Sequence, residues 1–187
     1  SDEIYELILE KEFKHFSLSS LANDLIERIF IINGFAKGWA MTGWRVGYLV
    51  GRKDVIKASA ALQSQSTSNV CSFVQKGALE ALKINDDYFS QINKEYDSKR
   101  DIVYKGINKI KGLFLEKPNG AFYAFPRLPN DTITSIDFCK KILNDFGLVL
   151  VPGKAFGDDQ CFRISFANSK SKIIDGLLRL EKAIEHY

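Results

Sequence analysis

The stretch that decides the fold lies at residues 33–48 and reads Asn33-Gly34-Phe35-Ala36-Lys37-Gly38-Trp39-Ala40-Met41-Thr42-Gly43-Trp44-Arg45-Val46-Gly47-Tyr48. Two largely apolar runs, residues 27–32 and 44–50, flank and overlap it. Because the first run is continuously apolar at its end rather than alternating, it predicts a strand buried on both faces, and we expect the second run to form another. The glycines between the runs argue against a regular element there, so we predict a tight connecting loop.

Lys37 is the one ionisable side chain in residues 29–44, and large apolar side chains flank it at positions 35, 39 and 41. Most lysines are solvated surface charges, and that is the ordinary interpretation. An amine in a desolvated site has a lowered pKa, so part of it is neutral and nucleophilic, as imine formation with a carbonyl requires. The surroundings of Lys37 therefore favour a Schiff-base lysine.

Arg45 follows eight residues later, between Trp44 and Val46, and Gly43 and Gly47 leave space for the backbone on either side. A buried arginine needs an anion, and its planar guanidinium fits a phosphate or a carboxylate. Pairing with a carboxylate of the protein core is the alternative. A lysine that forms an imine beside an arginine that binds phosphate points to pyridoxal 5′-phosphate (PLP), a cofactor that acts as an electron sink.

Helical segments alternate with the strands in the first half of the chain, which indicates a parallel α/β sheet. We predict helices over residues 52–62 and 73–82, separated by a polar loop at residues 63–68. A longer helix over residues 86–111 has apolar side chains at helical spacing and is long enough to run from one domain to another.

The two expected domains are residues 1–95 and 96–187, and the second reads as a small α+β domain. Its predicted elements are a strand at residues 121–125, a helix at 135–146, strands at 148–151 and 161–166, and an amphipathic C-terminal helix that carries Ile173 to Ile184. The helix at residues 135–146 has a capping pattern from Thr134 to Asp137 and a stop at Gly147. In the last strand, Arg163 alternates with apolar residues and faces away from them; an exposed strand arginine is the ordinary interpretation.

Residues 33–48 resemble the signature of the class I/II PLP-dependent aminotransferases, in the branch of the aspartate aminotransferases. The resemblance implies that Lys37 is the PLP lysine and that Arg45 binds the phosphate of the cofactor. The opening Asp2-Glu3-Ile4-Tyr5 is similar to the family's Asp-x-x-Tyr element, in which Asp2 would pair with the pyridinium nitrogen and Tyr5 would bond to the 3′ oxygen. Residues 149–166 resemble the segment in which an arginine, here Arg163, binds the α-carboxylate of the substrate.

The resemblance also implies the fold, which is the C-terminal part of the large PLP-binding α/β domain followed by the small α+β C-terminal domain. It covers nearly the whole chain but maps to the C-terminal half of a family member. The phosphate cup, the aromatic residue that stacks on the pyridine ring and the early strands of the large sheet are expected before Ser1. We therefore expect the buried strands to have exposed faces and edges here, and the isolated chain to bind PLP poorly and not to turn over.

The activity that the resemblance implies is transfer of an amino group between an amino acid and a 2-oxo acid by a homodimeric full-length protein, with aspartate and 2-oxoglutarate as one candidate pair. Gly34 and Ala36 stand where some relatives have serines near the phosphate. Residues 62–69 contain no Lys or Arg that would bind a second substrate carboxylate. The alternatives are a PLP-dependent lyase or racemase on the same scaffold, and a non-catalytic binding or dimerisation module.

The composition of the chain argues against several classes of binding partner. The 187 residues contain 26 Lys+Arg and 23 Asp+Glu, a net charge of +3, without a basic run, which argues against nucleic acid and membrane partners. Cys71, Cys139 and Cys161 have no metal-ligand spacing and are odd in number, so we expect neither a metal site nor a disulfide framework, and a cytoplasmic location. His15 and His186 are isolated in the sequence, and we expect both to be solvated.

Overall fold

A computed structural model describes residues 1–21, 23–129 and 132–186 of the chain. The chain divides into two compact units, Ser1–Ile92 and Asn93–Tyr187. This division falls close to the boundary that we expected after residue 95; the assignment of the units to a large and a small domain remains a prediction. Within the described residues, no helix is both long enough and apolar enough to cross a membrane.

The first unit contains a two-stranded sheet of β1 (Ile31–Gly34) and β2 (Gly47–Val50), which pair antiparallel. The expected parallel pairing is wrong for these two strands. The short connection between them contains only one 3₁₀ turn, at Thr42–Trp44, whereas parallel neighbours need a longer crossover, usually through a helix. A parallel contact comes instead from the N-terminal segment, through a bridge between Asp2 and Ile32.

Both strands differ from their predicted extent and burial. Strand β1 begins at Ile31 rather than at residue 27, because a 3₁₀ helix occupies Asn23–Arg28. Strand β2 is exposed along its whole length, and Val50 is 55% exposed. On β1, Ile32 is also 55% exposed. The prediction of burial on both faces is therefore wrong for both strands in this chain, whereas the expectation of exposed strand faces agrees with them.

Among its described residues, the first unit also contains the helices α1 (Leu18–Leu21), α2 (Lys53–Ser66) and α3 (Ser72–Ala81). The polar loop predicted at residues 63–68 is wrong for its first four residues, which continue α2. The hydroxyls of Ser64 and Ser66 donate to backbone carbonyls in the preceding turn of the same helix. This local bonding satisfies the hydroxyls within the helix.

Helix α4 (Asp86–Ile107) begins in the first unit and ends in the second. The remaining elements of the second unit are β3 (Tyr123–Ala124), α5 (Ser135–Phe146), β4 (Val151–Pro152), β5 (Phe162–Ser165) and α6 (Lys170–Glu185). The three strands form an antiparallel sheet in the order β3-β5-β4. The fully buried side chains of Phe138, Phe162 and Leu180 come from α5, β5 and α6, so strand and helices share one core.

Helix α5 has the bounds that its sequence predicts. The Thr134 hydroxyl accepts the backbone N–H of Asp137 and donates to the Asp137 carboxylate, which completes the predicted cap. Gly147 ends the helix in the left-handed conformation, with φ of 63°.

Candidate functional site

Apolar side chains anchor the loop between β1 and β2. Phe35 is 5% exposed, and its ring centroid lies 4.8 Å from that of Trp39. The Trp39 indole N–H donates to the carbonyl of Ala81 on α3, at 2.9 Å. Met41 packs against the same cluster. The loop is therefore fixed on both sides of Lys37.

Lys37 opens a turn that is closed by a hydrogen bond from the Ala40 N–H to the Lys37 carbonyl, at 3.0 Å. Its Nζ lies 5.8 Å from the centroid of the Tyr5 ring. The Lys37 side chain is half-buried, so the desolvation that we expected from its neighbours is partial in this chain. The structure thus brings together two of the predicted site residues, Lys37 and Tyr5.

The N-terminal segment lies along β1, and the backbone N–H of Glu3 donates to the Ile32 carbonyl at 2.9 Å. Asp2 is exposed, and its Oδ1 accepts the N–H of Ile4 at 3.2 Å. Tyr5 is half-buried. The parallel bridge from Asp2 to Ile32 therefore fixes the segment that carries both predicted side chains, Asp2 and Tyr5.

Glu3, which the sequence does not single out, is the buried anchor of this segment and is 5% exposed. Its carboxylate accepts hydrogen bonds from the His15 ring, the Ser17 hydroxyl and the Leu18 N–H, each at 3.1 Å. Burial is the largest influence on the Glu3 carboxyl and raises its pKa, but the hydrogen bonds together outweigh it and hold the pKa below its usual value. His15 is exposed, as expected, and its ring also bonds to the buried Glu3 carboxylate. No local pattern predicts this pair, because the two residues lie far apart in irregular segments.

A second buried polar contact lies beside this anchor. The side-chain amide of Asn33 donates to the Glu6 carboxylate, and its oxygen accepts the N–H of Gly34, both at 2.7 Å. Burial raises the pKa of the nearby Tyr48 phenol, and the charges of Glu6 and Glu3 raise it further. Oxygens of Glu3 and Glu6 lie within 4.8 Å of a His15 nitrogen, but hydrogen bonds within the protein already engage both carboxylates.

Arg45 is exposed in this chain, so the expectation of a buried arginine is wrong here. One of its terminal nitrogens donates to the Thr42 carbonyl at 2.7 Å. Its backbone is in the left-handed region, with φ of 52°, and so is that of Ala40, with φ of 54°. Such conformations cost energy for residues other than glycine and are concentrated at functional sites. The connection between β1 and β2, which contains Lys37, therefore has two strained backbone positions.

Gly34 and Gly47 face each other across the sheet, where β1 and β2 meet the loop. A Cβ on Gly34 would lie 2.8 Å from the Gly47 Cα and 2.9 Å from the Val46 carbonyl oxygen. The strands approach too closely there for a serine side chain. A side chain at position 34 would therefore require the facing strand to move.

Arg163 lies on β5 in the second unit and is half-buried rather than exposed. Its guanidinium carbon is 4.3 Å from the ring centroid of Tyr123 and 4.2 Å from that of Phe156. Arg163 also borders a cavity of about 320 Å³, which Lys172 and Asn168 line together with apolar side chains. The sequence does not single out the two rings, because only the strand register places them beside Arg163.

The predicted residues thus fall into two groups. Asp2, Tyr5, Lys37 and Arg45 belong to the first unit, and Arg163 belongs to the second. Within the first unit, the Lys37 amine lies 5.8 Å from the centroid of the Tyr5 ring.

Comparison with known proteins gives a family match over most of the chain. Residues 1–179 match the family model described as "Aminotransferase class I and II". The chain is 40% identical to a Rickettsia felis protein named "Probable aspartate/prephenate aminotransferase", covering 98% of this chain and 47% of that protein. It is 37% identical to a Pyrococcus horikoshii protein named "Aspartate aminotransferase", covering 99% of this chain and 48% of that protein.

Solved structures give the same likeness in three dimensions. An aromatic aminotransferase from Pyrococcus horikoshii superposes with a TM-score of 0.93 at 35% identity, covering all of this chain and 50% of that one. An aspartate aminotransferase from Rhizobium meliloti gives a TM-score of 0.92 at 35% identity, covering 98% and 48%. These structures confirm the predicted fold class. The chain spans about half the length of the curated relatives that it matches.

Proposed function

This chain belongs to the aminotransferase class I and II family, and from that premise we propose that it is the C-terminal half of a PLP-dependent aminotransferase. The full-length enzyme, called the whole protein below, transfers an amino group between an amino acid and a 2-oxo acid. The observation that carries this proposal is the proximity of the Lys37 amine to the Tyr5 ring. It occurs in a chain that matches the family over residues 1–179.

The donor set of the first unit fits PLP. It offers an amine on Lys37 beside the phenol of Tyr5, a solvent-facing carboxylate on Asp2, and an exposed guanidinium on Arg45. In our proposal Lys37 holds the cofactor covalently, Arg45 binds its phosphate, Asp2 pairs with its ring nitrogen and Tyr5 bonds to its 3′ oxygen. When bound, PLP accepts the electrons that remain on the substrate after a Cα bond breaks.

Lys37 has a second task, which is to move a proton. Its amine, once released by the incoming amino acid, takes the proton from the substrate Cα as a general base. The resulting ammonium gives the proton back as a general acid later in the cycle. The anchored loop keeps the amine near one position during both transfers, because Phe35 and Trp39 fix the backbone on either side of Lys37.

Asp2, Tyr5 and Arg163 support this step. A carboxylate on Asp2 keeps the ring nitrogen protonated, because an opposite charge favours the protonated form of the base. The Tyr5 hydroxyl donates a hydrogen bond to the 3′ oxygen. Arg163 binds the substrate α-carboxylate through paired N–H groups and thereby selects which Cα bond breaks.

The names of the relatives support aspartate, prephenate and aromatic substrates for those proteins. For this chain we propose an α-amino acid and a 2-oxo acid, with aspartate and 2-oxoglutarate as the first pair to test. A second substrate carboxylate would have to bind outside residues 62–69, which contain neither Lys nor Arg.

The test follows nitrogen from ¹⁵N-aspartate into glutamate in the whole protein. We expect Lys37→Ala to lower the rate on the order of 10³-fold or more, since it removes the covalent amine and the general base together. The matched control is Lys76→Ala, which removes an exposed lysine of α3 and should leave the rate unchanged. Full activity in Lys37→Ala would contradict the proposed role, and release of free ammonia in place of transfer would identify a lyase.

A further inference from the structure

The guanidinium of Arg163 lies over two aromatic rings. Its Cζ lies 4.3 Å from the centroid of Tyr123 and 4.2 Å from that of Phe156. Both distances are well inside the roughly 6 Å at which the face of an aromatic ring attracts a cation. The arrangement therefore combines two cation–π contacts on one side chain.

Strand pairing places the first ring. Strand β3 pairs with β5 so that Tyr123 lies opposite Ser165. Arg163 and Ser165 share a face of β5, because side chains two residues apart on a strand point the same way. Tyr123 is therefore the diagonal neighbour of Arg163 on that face, within reach of an aromatic side chain.

The loop that joins β4 to β5 places the second ring. Phe156 ends a 3₁₀ turn that begins at Gly153, and Gly157 follows with φ of 91°. A Cβ on Gly153 would lie 2.2 Å from the Cys161 carbonyl oxygen, so this loop approaches β5 more closely than a larger residue permits. The Phe125 ring packs edge-on against Phe156, with centroids 6.0 Å apart.

A buried serine ties this loop to α5 on both sides of Phe156. The Ser135 hydroxyl, at the start of α5, accepts the N–H of Lys154 at 3.2 Å. It donates to the Asp159 carboxylate at 2.5 Å, and Ser135 is fully buried. The loop that carries Phe156 is therefore held by hydrogen bonds before and after this residue in the chain.

The two rings constrain what Arg163 can bind. They limit where the guanidinium can lie, and its N–H groups match the two oxygens of a carboxylate. Among the described residues, no carboxylate forms an ion pair with Arg163. The edge of the guanidinium thus remains for a ligand.

We propose that Tyr123 and Phe156 form an aromatic clamp, a pair of positioning residues that orients Arg163 for the carboxylate of the substrate. The proposal rests on the proposed function in one respect, the assignment of Arg163 to that carboxylate. The clamp raises affinity by holding the guanidinium in its binding orientation before the ligand arrives, so that less side-chain freedom is lost on binding.

The test measures succinate binding to the whole protein by calorimetry, since succinate carries carboxylates but no amino or oxo group that could react. Phe156 is replaced by phenylalanines with increasing numbers of ring fluorines, which keep the ring shape while weakening its attraction for a cation, and by leucine. We expect the affinity for succinate to fall stepwise along the fluorine series, and by about 2- to 30-fold in Phe156→Leu. Arg163→Met gives the reference for complete loss of this contact.

The matched control is the same series at Phe114, which is 59% exposed in the second unit and should leave the affinity unchanged. Affinity that stays flat along the Phe156 series, or succinate binding that does not depend on Arg163, would overturn the clamp. Borohydride capture of PLP on Lys37 is measured in parallel and should be the same in every variant. Failure of that capture in the unaltered protein would refute the cofactor assignment alone, because the succinate titration reports on Arg163 without it.

Discussion

The Glu3 carboxylate lies 3.1 Å from the His15 ring, measured from Oε2 to Nε2, and the Glu3 side chain is only 3% exposed. Glu3 stands between Asp2 and Tyr5, the two residues of this segment that we propose contact PLP. The pair therefore joins the proposed cofactor-binding segment to residues 15–18, and its protonation state matters for how firmly that segment is held.

Replacing Glu3 with Gln should destabilise the whole protein in a pH-dependent way. Hydrogen bonding holds the folded-state pKa of Glu3 below its ordinary value of 4.5. The carboxylate therefore contributes its full stability above the unfolded-state pKa and loses it as the pH falls through the folded-state pKa. We expect a difference in unfolding free energy of about 2 kcal/mol between the unaltered protein and Glu3→Gln at neutral pH. Urea denaturation at decreasing pH should show this difference shrinking in acid.

The control for this experiment is Glu12→Gln, because the Glu12 side chain is 75% exposed. Its effect should be small at every pH. Equal losses for the two variants, or a Glu3→Gln effect that grows in acid, would contradict the role assigned to the buried Glu3 carboxylate.

Gly34→Ser should lower the melting temperature, because its Cβ would lie 2.8 Å from the Gly47 Cα and the two strands would have to move apart. We expect a cost of about 1–3 kcal/mol, typical of overpacking against a backbone that cannot shift freely. Gly43→Ser is the matched control within the same loop, since no described atom lies within 4 Å of a Cβ there. Scanning calorimetry measures the melting temperatures of both variants. Equal melting temperatures would contradict the prediction and show that the strands separate at little cost.

The three thiols should differ in reactivity. Burial raises the pKa of Cys139 to about 11, and burial together with the Asp158 carboxylate raises the pKa of Cys161 to about 11. Cys71 is exposed. Because the thiolate is the reactive form, iodoacetamide at about pH 8 should label Cys71 first in the folded chain and reach the other two only after unfolding. Peptide mass spectrometry measures the order, and rapid labelling of Cys139 in the folded chain would contradict it.

Local signals explain which parts of this structure can be predicted from sequence. Helix α5 has its predicted bounds, because Thr134 caps it and Gly147 stops it through contacts within a few residues. The loop around Lys37 is predicted for the same reason, since its glycines and apolar side chains act locally. The polarity of Ser64 and Ser66 led to the wrong prediction of a loop. Their hydroxyls instead donate hydrogen bonds to backbone carbonyls of α2.

Features that depend on contacts between residues far apart in the chain cannot be predicted from local sequence patterns. The antiparallel register of β1 and β2 follows from a connection without a helix, and the contact of Glu3 with His15 joins two irregular segments. The two rings near Arg163 come from another strand and from a loop. Tyr123 is identified as a neighbour of Arg163 only by the register of β3 and β5. The burial expected for Arg45 and β2 is wrong in this chain, where both are exposed, because burial depends on distant contacts that local sequence does not encode.

Trp44 provides a direct probe of the proposal that this chain is the C-terminal half of a longer enzyme. It is 45% exposed in this chain, although one edge of its ring packs against Gly77 of α3. In a background where Trp44 is the one remaining tryptophan, we expect its fluorescence at shorter wavelength in the whole protein than in the 187-residue chain, because the proposed other half would cover the ring. Identical emission in the two proteins would contradict the proposal that further chain packs on this face.

The most direct measurement is borohydride reduction of the whole protein in the presence of PLP, followed by peptide mass spectrometry. We predict loss of the visible cofactor band and a pyridoxyl group on Lys37 alone, with Lys37→Ala left unlabelled and Lys76→Ala labelled as in the unaltered protein. A pyridoxyl group on another lysine, or none at all, would contradict the assignment of Lys37 as the residue that holds the cofactor.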